Sequence, residues 1–298
     1  ASCDWTCDSG WRLDSDSGEC RLSALQVAAG ARHTCIVRTD AVVECWGDNA
    51  SGKATPPAYS FVELSAGDEH TCGRRLDNTI RCFGSNDAGQ LDWPSGEWAQ
   101  LSAGAFHTCA VSGEGEVACF GDDTFGQSTP DAAVFTGVSA GRRHTCALTS
   151  EKAIVCWGDD AQGQSTAIPG SYQEVAAGGL HSCGLLTSDT AVCWGSNLYG
   201  QLDAPTDLLT HITAGDYHTC GLRDDSTPVC WGSNAFGQLD APDRAFMQIS
   251  AGDLHTCGVT PVHEVVCWGS DASGQSLVPG GTFQIGRASC RERVYHPV

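Results

Sequence analysis

An Ala-Gly dipeptide recurs along this chain every 37 residues, its glycine falling at Gly30, Gly67, Gly104, Gly141, Gly178, Gly215 and Gly252, with no insertion or deletion between copies. Locked to it are seven histidines, His33, His70, His107, His144, His181, His218 and His255. Each is followed by Thr, or by Ser182 in the fifth copy, and then by a cysteine. Ten residues later comes a second cysteine, then an aromatic residue and a glycine, as in Cys45-Trp46-Gly47. A further glycine (Gly52 to Gly274) precedes Gln in six copies and Lys53 in the first. The consensus is AGxxHTCxxxxxxxxxCWGxNxxGQ. A register held through seven copies means one structural unit repeated seven times.

The unit contains no run of 10–15 residues with helical period. It consists of short stretches rich in Val, Ile, Phe, Trp and Thr, broken by Gly, Asn, Asp and Pro, which is the pattern of strands and turns. In the first copy, strands are predicted near 25–29, 33–37, 42–47 and 52–55. The two cysteines flank a hairpin with Arg38-Thr39-Asp40-Ala41 near its tip. Seven small antiparallel sheets set radially give an all-β, seven-bladed β-propeller over residues 24–284, a closed ring that leaves few open sheet edges.

The consensus resembles the repeat of the regulator of chromosome condensation family, and the 37-residue length is similar to that of compact bacterial members, among them a propeller-type β-lactamase inhibitor. The resemblance covers residues 24–284. It implies the propeller fold; for function it implies only a range, since the family holds a nucleotide exchange factor, an enzyme inhibitor and many secreted proteins.

At 298 residues the chain is long enough for two domains, but all-β folds of this size also run as one. Lys and Arg total 16 and Asp and Glu 36, so the formal charge is 16 − 36 = −20. Such a surface repels phosphate backbones, and nucleic acid is not expected as a partner. No stretch has the ~20 apolar residues of a membrane span, so no membrane insertion is expected. The expected exchange activity of the nuclear family member fits poorly with both the charge and the cysteines.

Eighteen cysteines less Cys3, Cys7, Cys20 and Cys290 leaves fourteen, two per repeat. Opposed positions of an antiparallel hairpin lie ~4.5–5.5 Å apart at Cβ, near disulfide reach. Seven intrablade disulfides are therefore predicted: Cys35–Cys45, Cys72–Cys82, Cys109–Cys119, Cys146–Cys156, Cys183–Cys193, Cys220–Cys230 and Cys257–Cys267. Each closes a loop of about 11 residues and contributes roughly 2.8 kcal/mol in the chain-entropy model. Paired cysteines place the protein outside the cell or on its surface. The competing use of His33, Cys35 and Cys45 as zinc ligands lacks a CxxC pair, and no metal or other cofactor is expected.

Both ends lie outside the repeat. Residues 1–23 carry Cys7 and Cys20 in a setting that resembles the last loop of an EGF-like module, which implies a Cys7–Cys20 pair. Residues Ile285 to Val294 read IGRASCRERV, which resembles one reading frame of a sequencing adapter; residues 285–298 are expected to be a non-native tail. A strand beginning at Phe283 would be an eighth equivalent.

The recurring residues all have folding roles in this reading. Each His is expected to hydrogen-bond backbone within its own Gly-x-x-His turn, and the aromatic before Gly47 and its equivalents to pack between blades. Asn49, Asn86, Asn197 and Asn234, with Asp in the other copies, suit Asx turns, with calcium as the rival reading. Asn49-Ala50-Ser51 is a lone glycosylation sequon.

Function is then expected where the repeats differ. Two dipeptides vary inside the fixed frame. The first lies between Ala-Gly and His and carries Phe106, Arg142, Arg143 and Tyr217. The second lies before the later glycine and carries Phe125, Tyr199 and Phe236. Aromatics and Arg on a rigid ring are the residue types that anchor protein interfaces, and Arg142-Arg143 suggests a basic spot for an acidic partner. No Ser/His/Asp arrangement, phosphate loop or isolated acid/base pair points to an enzyme. A protein partner is the primary expectation, in the form of an interaction module; a glycan, or a secreted enzyme inhibited by the propeller, is the alternative.

Overall fold

Every repeat folds into a three-stranded antiparallel sheet whose spatial order follows the sequence. In the computed structural model, which describes residues 11–13 and 20–280, the first blade comprises Ala24–Ala29, His33–Arg38 and Val43–Gly47. The first strand of each blade lines a central channel of about 330 Å³, and the third faces outward. The seven sheets form the expected all-β, seven-bladed propeller. Ahead of the ring, Trp11–Leu13 pairs with Cys20–Leu22 in a two-stranded ribbon. The Cys7–Cys20 pairing and the tail after Gln284 lie outside the described residues.

The predicted fourth strand near 52–55 is absent; those residues form turns. Asn49 causes this. Its side-chain oxygen accepts from Ala54 N–H at 2.9 Å, its amide donates to Thr55 Oγ1 at 2.8 Å, and Gly52 N–H returns to Asn49 O. Pro56 and Pro57 follow and have no N–H for a ladder. Asn86, Asp123, Asp160, Asn197, Asn234 and Asp271 each accept a backbone N–H five residues on in the same way. These contacts span five residues and so bracket the whole turn rather than form the expected Asx turns; the two-residue Asx contact is made one position earlier, by Asp48, Asp122 and Asp159.

Cys35 stands directly opposite Cys45, and the same holds in each hairpin. All seven intrablade disulfides are formed. The sulfur of Cys35 lies with Val37 and Val43 against Phe61, Leu64 and Phe83 of the next blade. The apolar core is thus a set of seams between blades, each filled from both sides. An aromatic such as Phe61 or Tyr172, about 1% exposed, contributes roughly 2–3 kcal/mol by leaving water.

Polar contacts lock the same seams, and here the histidines depart from expectation. His33 Nε2 lies 2.7 Å from Thr71 Oγ1 in the next blade, not on the backbone of its own turn. The contact repeats at His70–Thr108, His107–Thr145, His144–Ser182, His181–Thr219, His218–Thr256 and, across the closure, His255–Thr34. Thr34, Thr71, Thr145 and Ser182 donate their protons to the carbonyls of Gln275, Lys53, Gln127 and Gln164. At these four seams the hydroxyl oxygen must then accept from Nε2–H, which makes His255, His33, His107 and His144 the neutral Nε2–H tautomer. Burial holds these histidines well below the usual range, at about 3 for His70 and about 4 for His107. Trp46, Trp157, Trp194, Trp231 and Trp268 donate to the same Gln carbonyl column. Gly30 is required beside this contact: a Cβ there would sit 2.5 Å from both Gly67 O and His33 Cε1.

On the channel side, the edge of each inner strand is covered by side chains of its neighbour. Gln26 donates to Leu64 O and accepts from Leu64 N–H, a two-bond clamp. Gln100 grips Val138 and Gln248 grips Val27 in the same way. Glu63 accepts from Leu101 N–H and Glu174 from Ile212 N–H, while His211 Nε2 faces Ile249 O. Gly137 occupies this column in the fourth blade and supplies no clamp. The ring closes from the seventh blade to the first through the Gln248 clamp, His255–Thr34 and Ala24 N–H on His263 O.

Candidate binding face

The Gly-x-x-His turns link first and second strands, and the turns after Gly47 and its equivalents leave the third strand at the same end, because Gly47 pairs with His33. Both variable dipeptides therefore emerge on one face. The structure brings them together across blade boundaries. Ser51 of the first blade donates to Glu69 of the second at 2.9 Å. The Arg143 guanidinium of the fourth blade lies 4.9 Å above the Phe125 ring of the third. Tyr199 of the fifth meets Tyr217 of the sixth edge to face, centroids 5.4 Å apart. The two variable sets form one surface.

Phe106, Phe125, Tyr199 and Phe236 are 41%, 42%, 51% and 54% exposed, and Leu198 is 76% exposed. Tyr217 is half-buried and Arg143 is exposed. These side chains form an arc over blades three to six. The first and second blades present a polar sector instead. There Lys53, which replaces the usual Gln, is fully buried and paired with Asp48 at 2.8 Å and Glu69 at 2.7 Å. Its ammonium is held above its usual range: the two carboxylates outweigh the cost of burial. The sequon at Asn49 lies in this sector, with its amide engaged by Thr55.

At the centre of the face, the residue after Ala-Gly in six of the seven copies lines an axial depression of about 60 Å³. Asp68, Arg142, Asp216 and Asp253 converge there. Arg142 is ion-paired with Asp216, so it forms no free basic spot with Arg143. This corrects the sequence expectation: three carboxylates meet one guanidinium, and the axis is acidic. Asp68 and Asp253 make no side-chain hydrogen bond among the described residues. Burial and mutual repulsion raise both above the ordinary carboxylate range. The arrangement was hidden in sequence because Asp68, Asp216 and Asp253 occupy one repeat column yet lie 148 and 37 residues apart, that is 216 − 68 and 253 − 216.

The repeat model of the regulator of chromosome condensation (RCC1) family matches residues 25–53, 61–90, 98–127, 135–164, 172–201, 209–238 and 248–275. Among solved structures, the ectodomain of the receptor kinase CR4 from Physcomitrella patens is similar with a TM-score of 0.71 and 31% identity, over 83% of this chain and 74% of that one. The ectodomain of the Arabidopsis thaliana receptor kinase ACR4 gives 0.72 and 28%, over 86% of this chain and 99% of that one. Prp20p from Saccharomyces cerevisiae gives 0.66 at 16% identity, over 81% and 82%, a likeness of fold alone. A search of curated proteins finds no match.

Proposed function

Because the chain belongs to the regulator of chromosome condensation repeat family, we propose that it is a non-enzymatic, extracellular or cell-surface interaction module that binds a protein partner on the face of the Gly-x-x-His turns. One observation carries this reading. The two variable dipeptide columns coalesce at blade seams into an Arg-aromatic and an aromatic pair, Phe125 with Arg143 and Tyr199 with Tyr217. Aromatics lose little rotamer entropy on contact, and a rigid frame lowers the ordering cost of binding. Seven disulfides and the likeness to two receptor ectodomains support an oxidising, extracellular setting. Protein partners are found on this fold: the yeast structures describe Prp20p binding to Gsp1p and histones, and to Kap60.

The test is capture of a protein partner from extracellular extracts on the immobilised propeller, with a Phe106→Ala/Arg143→Ala/Tyr217→Ala variant as control. The wild type is expected to retain a protein that the variant loses, at equal melting temperature. Equal capture by both forms contradicts the site.

A further inference from the structure

The face is chemically divided: an acidic axis lies inside an aromatic arc. Asp68, Asp216 and Asp253 line the axial depression against the one guanidinium of Arg142, and Arg142 is already engaged by Asp216. The carboxylates of Asp68 and Asp253 are left without a hydrogen-bond donor among the described residues. Of the neighbouring cations, the exposed Arg32 acts on Asp253 through its charge without forming an ion pair with it, and two others are committed elsewhere. Lys53 is held by Asp48 and Glu69, and Arg143 lies over Phe125. Burial and the neighbouring carboxylates push Asp253 up to about 9, so it keeps its proton at neutral pH; an entering cation that supplies both charge and N–H offsets that repulsion and lets the group ionise.

Resting on the interaction reading above, we propose that the partner presents a basic segment: one lysine or arginine side chain enters the axial depression between Asp68 and Asp253, and apolar side chains beside it rest on Phe106, Phe125 and Tyr199. The recess is small, about 60 Å³, which suits the end of one long side chain and excludes a folded element. The surrounding aromatics offer both apolar area and ring faces that attract a cation's stem and charge. The chain's charge of −20 steers a basic segment toward the protein as a whole, and the axis gives that attraction a place to end.

The test is selection of a displayed random peptide library on the intact protein, followed by affinity measurement of a synthetic selected peptide. Selected peptides are expected to carry one Lys or Arg flanked by aromatic or aliphatic residues. Replacing that residue by Met in the peptide, or Asp68→Asn with Asp253→Asn in the protein, is expected to weaken binding at least tenfold. Asp225→Asn, on an exposed hairpin tip of the opposite face, should leave it unchanged. Melting temperatures check that the variants fold, and the peptide substitution tests the charge with the protein untouched. Selected peptides without a basic residue, peptides that bind the double variant as tightly as the wild type, or a library that yields no binder would each overturn the inference. If non-basic peptides bind and are lost with Phe106→Ala and Tyr217→Ala, the interaction face stands and only its basic occupant fails.

Discussion

Thr34 of the first blade and His255 of the seventh close the ring through a single hydroxyl. His255 Nε2 lies 2.8 Å from Thr34 Oγ1, and Thr34 passes its own proton to Gln275 O at 2.9 Å. The same His–hydroxyl contact at every seam, completed by a hydroxyl-to-carbonyl bond from Thr34, Thr71, Thr145 and Ser182, explains two columns of the repeat at once. A hydroxyl is needed because only it can accept from the imidazole while donating to the carbonyl. Ser182 serves as well as Thr for that reason.

Thr145→Val keeps the shape of the side chain and removes the relay. It would leave the buried His107 Nε2–H without an acceptor, at a cost of about 1–3 kcal/mol. Thr145→Ser should lose far less. Guanidinium unfolding of the two variants checks the difference; equal stability would show that the hydroxyl contributes little.

The histidines also set the response to acid. Their folded values lie near 3 to 4, below the ordinary value of 6.5. A depressed folded value means that the unfolded chain takes up protons first. Stability is therefore complete above about pH 6.5 and falls as pH drops toward 4, by up to about 1.4 kcal/mol per group for each pH unit. Asp68 and Asp253 run the opposite way, because their raised values favour the folded state as pH falls. His211, raised through its contact with Glu174 at 2.7 Å, contributes stability that is lost as pH rises through its folded value. Seven histidines outnumber these groups, so the melting temperature should fall steeply between pH 6.5 and 4. A flat profile over that range would contradict the buried neutral imidazoles.

Gly137 is the gap in the channel clamps, and a Cβ there would meet its nearest neighbour, Gln100 Oε1, at an ordinary 3.7 Å. Gly137→Gln should restore the two-bond grip that Gln26 has on Leu64, here on Val175. The gain from the clamp and from removing a strand glycine is about 1 kcal/mol, read as a higher melting temperature. A lower melting temperature would mean that the channel cannot seat the side chain.

The disulfides are expected to be intact in the isolated protein. Mass mapping of unreduced peptides should recover Cys146–Cys156 and its six equivalents. Cys146→Ala with Cys156→Ala should cost roughly 3 kcal/mol. Free thiols at these positions would contradict both the pairing and the extracellular setting.

What the sequence made legible and what it hid divide along the blade boundary. Contacts within one repeat were readable: the spacing of Cys35 and Cys45 placed them opposite each other, and strand periodicity gave the three strands. The absent fourth strand was a misreading of local signals. Residues 52–55 carry a strand-like pattern, yet Asn49 and the following prolines fold them into turns. Contacts between repeats were not readable. A periodic His says nothing about whether it bonds its own turn or a hydroxyl 38 residues away. The clamp column reads Gln26, Glu63, Gln100, Gly137, Glu174, His211 and Gln248, too varied to register as a motif. Phe125 and Arg143 sit in different repeat columns, so only the ring brings them together.

The most direct measurement of the proposed face is hydrogen exchange of the propeller with and without its captured partner. Protection is expected at the Gly-x-x-His turns around Phe106, Arg143 and Tyr217 and at the turns around Phe125 and Tyr199. The hairpin tips of the opposite face, around Asn78, Lys152 and Ser226, should exchange as before. Protection confined to those tips, with the aromatic arc unchanged, would contradict the account.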